Sequence, residues 1–570
     1  MRVTSRSLVR WWPAAALVTL GLLAILVNQT GEREGQARVM FAFGAGLVTT
    51  LLVTVWLLGF SPLERRARRR LAVGLGLGLV AAAALVRVRG VTGDFVPVLE
   101  WRWAQSVPLP APPRLPVAAP DTPPAPPAEG PLAHSDVAAP AEAHADAAVA
   151  ITRGEAPDET ETGPAPADPP TAGPPESAGS EVLQAAYPQF LGPDRNGVVR
   201  GLRLASDWAA RPPRLVWQHA VGAAWSGFAV ARGVAVTQEQ RDGDEAVVAY
   251  DLRTGSVRWM HADRERYATV VAGEGPRATP TIAGGRVFTL GATGLLNALD
   301  LQTGRRLWQR HVVRENPGPD PQWGRSSSPL VVDGKVIVSA GGSGGRSLVA
   351  YDARSGSPVW SGGDDAVGFS SPMMVTLAGR RQIVIFNRGS VAGHDQATGA
   401  PLWQHPWPPH QPTVAQPLPL GGDRLLVSSG YGIGSKLLRI VAAGDGSLRA
   451  ELLWESPRLK AKFTNLVVHG GFVYGLDDGV LVCLDPATGE RRWRSGRYGH
   501  GQVILADDLL LVQTEEGEVV LVRPDPARLV ELARFTALDG KTWNPPALAG
   551  PWLLVRNDRE AAAYELPRAR

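Results

Sequence analysis

The sequence Ala298-Leu-Asp-Leu-Gln-Thr-Gly-Arg-Arg-Leu-Trp308 follows the pattern x-x-Asp-x-x-(Thr/Ser)-Gly-x-x-x-Trp, which recurs along this chain. Further copies occupy residues 249–259, 350–360, 393–403 and 483–493. Self-similarity at a period of roughly 40–50 residues is typical of a repeat architecture. In each copy an alternating run ends at the Asp, a Thr-Gly or Ser-Gly pair turns the chain, and a second run ends at the Trp. This arrangement predicts a β-hairpin, with the glycine at the turn and the Asp bonding backbone amides across it.

The tryptophan that ends each copy is the largest side chain of the repeat. An indole buries a large, rigid surface and carries one N–H, which suits the seam between neighbouring repeat units. We therefore expect one structural docking tryptophan per repeat, degenerate copies included, at Trp217, Trp259, Trp308, Trp360, Trp403, Trp454 and Trp493.

The two ends of the repeat region decide how it closes. Residues 215–221 resemble the last strand of a repeat with no earlier strands before it, and residues 561–566 resemble a third strand with no tryptophan strand after it. Joining them completes one repeat, and degenerate copies at Asp445 and Asp525 bring the total to eight. Closed radial repetition leaves only short, protected edges. The sequence thus predicts an all-β domain over residues 187–570, an eight-bladed β-propeller of four-stranded antiparallel blades.

Composition excludes several other classes of protein. The net charge is +4, and the arginines are dispersed or adjoin apolar segments, unlike the basic stripe of a nucleic-acid-binding protein. The single cysteine, Cys483, lies in an apolar run and rules out an intrachain disulfide and a cysteine metal site. The histidines show no ligand spacing, so we predict no metal site.

Residues 1–103 are apolar enough to predict an α-helical membrane anchor. Arginines precede the first apolar segment, and five more separate the second from the third. The positive-inside rule then places the amino terminus in the cytoplasm and the propeller in the periplasm of a bacterium, anchored in the inner membrane, if the number of spans is odd. A cleavable signal peptide is the alternative for residues 1–28, although no small-residue cleavage site follows. The three predicted spans cover about residues 11–28, 39–60 and 71–88.

Residues 104–186 are dominated by Pro and Ala with scattered acidic residues. Such a segment cannot bury enough apolar surface to offset chain entropy, so it predicts a disordered linker. A flexible coil of this length would have an end-to-end distance of about 50 Å. The linker is either a tether that lets the propeller reach away from the bilayer or a spacer with no other role.

The repeated hairpin resembles the tryptophan-docking repeat of the pyrroloquinoline-quinone (PQQ) propeller superfamily, over about residues 185–570. Residues 187–197, Tyr-Pro-Gln-Phe-Leu-Gly-Pro-Asp-Arg-Asn-Gly, look like the segment that precedes the propeller in uncharacterised membrane-anchored PQQ-like repeat proteins. The superfamily also holds quinoprotein dehydrogenases and the propeller lipoprotein of the outer-membrane barrel-assembly machinery. The resemblance therefore implies the fold and leaves the activity open.

The residues just before each innermost strand of a propeller line one mouth of its central channel. Here this set is basic and aromatic, with no carboxylate among its members. Such a mouth can bind an anion, including the carboxylates of PQQ, or it can be ordinary solvated surface. The candidate cofactor-binding residues are Trp225, Arg277, Arg325, Lys462, Asn465, His500, Lys541, Trp543 and Asn544.

Two functions remain open. Dehydrogenases of the superfamily hold PQQ with Ca²⁺ and use an Asp as general base, whereas these positions offer neither a carboxylate set for the ion nor a base. We therefore predict no catalytic residue and no cofactor, and a non-enzymatic protein-binding or scaffold module with an envelope protein as its partner. The alternative is a membrane-bound PQQ-dependent dehydrogenase that oxidises a sugar or alcohol and passes electrons to ubiquinone.

Overall fold

The computed structural model describes residues 11–30, 35–103, 184–269 and 271–569. Its amino-terminal part contains the helices Trp12–Thr30, Gly35–Gly59 and Arg65–Leu85, and the propeller carries the one-turn helix Val312–Glu315. Within the described residues one helical segment, Phe41–Gly59, is long and apolar enough to cross a membrane, and Trp12–Leu26 is a shorter apolar segment.

The helix Arg65–Leu85 differs from the predicted third span. It begins inside the arginine cluster and ends at Leu85, so the predicted span at about 71–88 runs three residues past the helix. The chain continues directly as a strand from Val86, because alternating valine and arginine favour an extended backbone. Most of the predicted linker, residues 104–183, lies outside the described residues. Its predicted end at residue 186 is too late, since Ala185 is already buried in the propeller core.

A β-hairpin follows the third helix, in a region that the sequence assigned to the membrane anchor. Its strands Val86–Val91 and Pro97–Trp101 pair antiparallel. Arg87 and Glu100 form an ion pair of 2.9 Å across the hairpin. We call residues 86–101 the juxtamembrane hairpin.

The propeller has eight blades, which confirms the predicted fold. Each blade is an antiparallel sheet of four strands that follow one another from the channel outwards. Blades 1 to 4 consist, in that order, of Ala229–Ala231, Val234–Arg241, Asp244–Asp251 and Val257–Asp263; Thr281–Ala283, Arg286–Leu290, Leu295–Asp300 and Arg306–His311; Leu330–Val332, Lys335–Gly342, Arg346–Asp352 and Pro358–Gly362; and Met373–Leu377, Arg380–Phe386, Ser390–Asp395 and Pro401–Pro406.

The remaining blades follow the same plan, with one addition and one closure. Blade 7 gains a fifth strand, Val198–Val199, which pairs parallel to its innermost strand. Blade 8 takes its outermost strand, Arg214–Ala220, from before blade 1, and this strand pairs with Glu560–Glu565 as predicted. Blades 5 to 8 consist of Leu418–Gly421, Arg424–Ser429, Gly434–Ala442 and Leu448–Ser456; Val467–His469, Phe472–Asp477, Val480–Asp485 and Glu490–Arg497; Gln502–Ala506, Leu509–Gln513, Glu518–Arg523 and Val530–Thr536; and Ala547–Ala549, Trp552–Arg556, Glu560–Glu565 and Arg214–Ala220. A two-stranded pair, Ala268–Thr269 with Gly273–Glu274, lies between blades 1 and 2.

The turn chemistry of the repeat explains its sequence pattern. In blade 2, Asp300 Oδ1 accepts hydrogen bonds from the N–H of Gln302 at 3.1 Å and of Thr303 at 2.9 Å. Gly304 follows with a φ of 71°, a conformation that glycine adopts without the Cβ penalty of other residues. The Asp and the glycine of each copy are therefore both required by one tight turn.

Five of the seven predicted docking tryptophans donate a hydrogen bond to a main-chain carbonyl of the next blade. Trp259 shows the pattern: it is buried, its Nε1 donates to the carbonyl of Leu301 at 2.9 Å, and its ring faces Gly304. Trp403 differs, because its Nε1 donates to Gln382 of its own blade, and the Nε1 of Trp360 has no acceptor within the described residues. The role of these residues as docking groups remains a prediction. The other indoles that donate to a main-chain carbonyl of the next blade are Trp217, Trp308, Trp454 and Trp493.

Candidate functional site at the channel mouth

The structure brings five of the nine predicted mouth residues around one cavity of about 190 Å³ in the central channel. The walls of this cavity are mostly apolar, and eight aromatic side chains contribute to them. Trp225 and Trp543 lie with their ring centroids 5.0 Å apart, and Phe463 adds a third ring 4.9 Å from Trp543. The five predicted residues that line the cavity are Trp225, Arg277, Lys462, Asn465 and Trp543.

Two other predicted residues have structural roles instead. Arg325 is buried, and its Nη1 donates to the carbonyl of Ala340 at 2.8 Å. Asn544 is also buried, and its Nδ2 donates to the carbonyl of Ser226 at 2.8 Å, which joins blade 8 to blade 1. Position before an innermost strand therefore does not by itself place a side chain in the cavity.

The mouth itself is occupied by the tip of the juxtamembrane hairpin, which the sequence did not predict. The N–H of Gly93 donates to Glu515 Oε1 at 2.6 Å, and the carbonyl of Gly93 accepts from Lys462 Nζ at 2.6 Å. Lys541 Nζ donates to the carbonyl of Val91 at 3.1 Å. The tip thus offers the mouth a row of backbone groups, and the cations of the mouth bind them.

The side chains of the tip add charge and aromatic contacts. Asp94 Oδ1 lies 3.1 Å from His500 Nε2, and this hydrogen bond is the main cause of the lowered pKa of Asp94. The Lys462 ammonium lies 5.4 Å from the centroid of the Phe95 ring and 5.1 Å from that of Tyr431. Carboxylates therefore do face the basic residues of the mouth, in contrast to the expectation from the residues before the innermost strands alone. One comes from the hairpin, and the other, Glu515, from a blade 7 loop.

Two ion pairs hold the strands of the hairpin to the rim of blade 8. Arg89 Nη2 lies 2.6 Å from Asp558, and Arg559 Nη2 lies 2.7 Å from Glu100. The four side chains are between about one sixth and one half exposed, so solvent screens both pairs in part. These ion pairs orient the hairpin, whereas the hydrogen bonds of its tip form the centre of the contact.

Burial shifts the pKa of several cations around the channel. Loss of hydration lowers the pKa of Lys541 to about 8, although Asp558 opposes the shift, and it lowers the pKa of Arg277 to about 10. The ammonium of Lys541 lies 4.2 Å from the centroid of Trp543 and 4.7 Å from that of Trp225, so two aromatic faces replace part of its hydration.

The opposite side of the cavity is bounded by the segment that precedes the propeller. Phe190 lines the cavity, and Arg195, five residues later, is completely buried among the innermost strands. Its guanidinium donates to the carbonyls of Pro372 at 2.8 Å and Ser328 at 3.2 Å, and also to that of Pro329. Desolvation lowers the pKa of Arg195 to about 9. The segment thus fills part of the channel and links several blades through one side chain.

The repeats of the propeller are similar to those of a known protein family. The PQQ-like family model described as outer membrane protein assembly factor BamB matches residues 206–338 and 273–495. The chain belongs to this PQQ-like propeller family. The match covers blades 1 to 6 and part of blade 8, so membership rests on the repeats.

Proteins similar to this PQQ-like propeller include outer membrane protein assembly factors and dehydrogenases. BamB of Burkholderia pseudomallei (strain K96243) is 28% identical over 270 residues, 43% of this chain and 63% of that protein. The 1-butanol dehydrogenase (cytochrome c) of Thauera butanivorans is 28% identical over 240 residues, 37% of this chain and 33% of that protein. The chain spans less than two thirds of the length of the curated relatives it matches. A solved europium-containing methanol dehydrogenase shares the fold, with a TM-score of 0.51 at 14% identity over 67% of this chain and 98% of its own.

The PQQ-like mouth of this chain does not fit PQQ with Ca²⁺. Across residues 11–30, 35–103, 184–269 and 271–569, no three His, Cys, Asp or Glu side chains are grouped to hold a metal ion. Ca²⁺ takes about six to eight oxygen ligands, usually with carboxylates among them. Lys462 and Lys541, which could pair with an anionic cofactor, instead bind backbone carbonyls of the hairpin.

The functional residues that sequence reasoning missed are Gly93, Asp94, Phe95 and Glu515. The first three could have been found, because alternating residues on either side of a Thr-Gly-Asp turn are typical of a hairpin. The apolar segment just before them, and the arginines among them, favoured a helical anchor with flanking charges instead. Glu515 follows the second strand of blade 7, a position that the rule for mouth residues does not include.

Proposed function

We propose that this protein is a membrane-anchored, non-enzymatic scaffold of the bacterial cell envelope whose propeller binds another envelope protein. The occupied mouth carries the proposal. PQQ dehydrogenases of the superfamily hold their cofactor at this mouth, whereas here the backbone of Val91 and Gly93 fills the place and uses its cations. Protein binding by the outer surface of the blades is therefore the function that the geometry supports best.

The outermost strands offer surfaces for such a partner. Blade 5 ends in the nine-residue strand Leu448–Ser456, longer than the outermost strand of any other described blade. Leu452 and Leu453 on this strand are 46% and 39% exposed. A long outermost strand with exposed apolar side chains suits strand addition by a partner chain, because main-chain groups supply affinity and side chains supply selectivity. The similarity to BamB, an outer membrane protein assembly factor, also supports a protein partner.

The membrane arrangement is part of the same proposal. Three spans would leave the amino terminus in the cytoplasm and the propeller in the periplasm, with the arginine cluster at the start of helix Arg65–Leu85 on the cytoplasmic side. The apolar part of that helix, residues 71–85, extends about 22 Å at 1.5 Å per residue. This is shorter than the roughly 30 Å of a hydrocarbon core, and local thinning of the bilayer can accommodate the difference.

The partner can be sought by site-specific photo-cross-linking in cells. A photoreactive residue at Leu452 or Leu453 is expected to give one discrete adduct with an envelope protein. A photoreactive residue at the exposed turn position Arg253 of blade 1 serves as the control. No discrete adduct at either leucine would refute a partner on this strand.

A second measurement separates the scaffold from the dehydrogenase. Titration of the full chain with PQQ, with and without Ca²⁺, is followed by quenching of tryptophan fluorescence. We expect no saturable, Ca²⁺-dependent quenching at micromolar PQQ. Saturable quenching, together with dye reduction in the presence of a sugar or alcohol, would overturn the scaffold proposal.

A further inference from the structure

We infer that the juxtamembrane hairpin is the resident ligand of the channel mouth. By binding there, it holds the propeller against the membrane-proximal end of the chain. This inference rests on the membrane anchor of the proposed function, and it holds whether or not the blades bind another protein. It assigns the mouth a binding role toward one occupant, the tip around Gly93.

The hairpin is rigidly joined to the helix before it. The helix ends at Leu85 and the first strand begins at Val86, whose N–H still donates to the carbonyl of Ala82. After the second strand, the N–H of Arg102 donates to the carbonyl of Leu85 at 2.9 Å, and its Nε donates to the carbonyl of Ala83 at 3.0 Å. Because the last carbonyls of a helix otherwise lack partners, these bonds fix the hairpin on the end of the helix.

The tip fits its site sterically as well as by hydrogen bonds. A Cβ on Gly93 would lie 2.0 Å from Cδ2 of His500, so the site admits glycine and excludes a side chain. The φ of Gly93 lies outside the left-handed region, which makes this exclusion purely steric. Phe95 has a φ of 65°, a conformation that bulky residues rarely adopt, and its ring lines the cavity beneath the tip. Surrounding contacts are what hold such a conformation in place.

Docking changes the role expected for residues 104–183, which connect the hairpin to the propeller in sequence. A flexible tether would let the distance between the propeller and the membrane vary up to a limit set by the length of the tether. With the hairpin docked, the distance between the propeller and the membrane is set by the hairpin and does not depend on the length of residues 104–183. It also keeps the mouth from other partners, which must then use the outer strands or the far end of the channel.

The inference is tested by cutting the covalent connection in the full chain. A site for a specific protease is inserted between residues 114 and 177, the protein is produced in membranes, and the cleaved membranes are sedimented. We expect most of the propeller to remain in the pellet after complete cleavage. Release of the propeller from the otherwise unchanged chain would overturn the inference.

Variants separate docking from retention by another membrane protein. Gly93→Ala is expected to weaken docking about tenfold or more, through the steric conflict with the imidazole, and to release the propeller on cleavage. Gly243→Ala is the matched control, since a Cβ there meets nothing within 4 Å, and it is expected to leave retention unchanged. Retention of the Gly93→Ala propeller would show that something other than the hairpin holds it, and would overturn the inference.

A double variant tests the geometry of the contact. Gly93→Ala with His500→Gly removes the imidazole and the Cβ that the new methyl group would meet. We expect retention to recover relative to Gly93→Ala alone, although the bond to Asp94 is lost. Failure to recover would overturn the docking geometry, provided that the released propeller resists proteolysis as the unchanged one does.

Discussion

The tightest test of blade docking is a comparison of two turn glycines. Gly304 and Gly446 both have a left-handed φ, 71° and 81°, so alanine at either position carries a similar backbone cost of about 1–2 kcal/mol. They differ in their surroundings. A Cβ at residue 304 would lie 2.4 Å from Cε3 of Trp259 in the neighbouring blade, whereas a Cβ at residue 446 meets no atom within 4 Å.

The expected difference follows from that contact. A methyl group forced into a well-packed seam typically costs about 1–3 kcal/mol in displaced side chains and backbone. Gly304→Ala is therefore expected to lower the free energy of unfolding by about 2–5 kcal/mol, and Gly446→Ala by about 1–2 kcal/mol. The indole of Trp259 can relieve the conflict by moving away from residue 304, which breaks its hydrogen bond to the Leu301 carbonyl.

The assay is urea unfolding of the full chain in detergent, followed by near-ultraviolet circular dichroism. The difference between the variants, rather than either value, measures the docking contact, because the backbone cost cancels. Equal losses in the free energy of unfolding at the two positions would refute the reasoning, because Trp259 would then have moved aside without destabilising the fold. A Trp259→Phe background provides a further check, because a smaller ring is expected to reduce the difference.

Three further results are expected. Trp259→Ala is expected to cost about 3–5 kcal/mol in urea unfolding, and Trp360→Ala about 1 kcal/mol less, because the latter indole donates no hydrogen bond; equal costs would contradict this. Burial raises the pKa of Glu245 to about 7. The protonated carboxyl therefore stabilises the fold fully below the ordinary pKa of a glutamate, and this stabilisation is lost as pH rises through 7. Glu245→Gln is expected to stabilise the propeller at pH 8, by at most about 3 kcal/mol, and to change its stability little at pH 4. Arg89→Asp and Asp558→Arg are each expected to weaken retention in the cleavage assay, and the double swap to restore it, with a coupling of about 1 kcal/mol; additive effects would show that this ion pair does not orient the hairpin.

The number of blades could be predicted from the sequence because each repeat carries the residues that its turn requires. Asp, Thr or Ser, and Gly are each required by the same few backbone bonds, so the pattern survives even where strand sequences diverge. Closure was also predictable, since the unpaired strands at residues 215–221 and 561–566 each lack what the other supplies. The pattern is incomplete in blade 5, where Asp445-Gly446 lacks the usual spacing. The indole of Trp403, in the preceding blade, does not donate to that turn but bonds within its own blade.

The contents of the channel could not be predicted in the same way. Both elements that enter it, residues 86–101 and the segment around Arg195, lie outside the repeats and carry no periodic signal of their own. The rule for mouth residues found Lys462 and Lys541 but could not say what they bind, because their partners are backbone carbonyls. Backbone acceptors leave no trace in the identity of a residue, so such a site is visible only once the chain is folded.

Closure of blade 8 by strands from opposite ends of the domain sets a time scale for folding in the cell. Arg214 and Glu565, which pair in that blade, are separated by 351 residues. At a synthesis rate of about 5–20 residues per second, the first strand waits roughly 20–70 s for its partner. During that interval blade 8 is incomplete, and the apolar faces of blades 1 and 7 that it later covers stay open to contact with other chains. The last strand made is therefore the one that ends the period of greatest risk of misassembly.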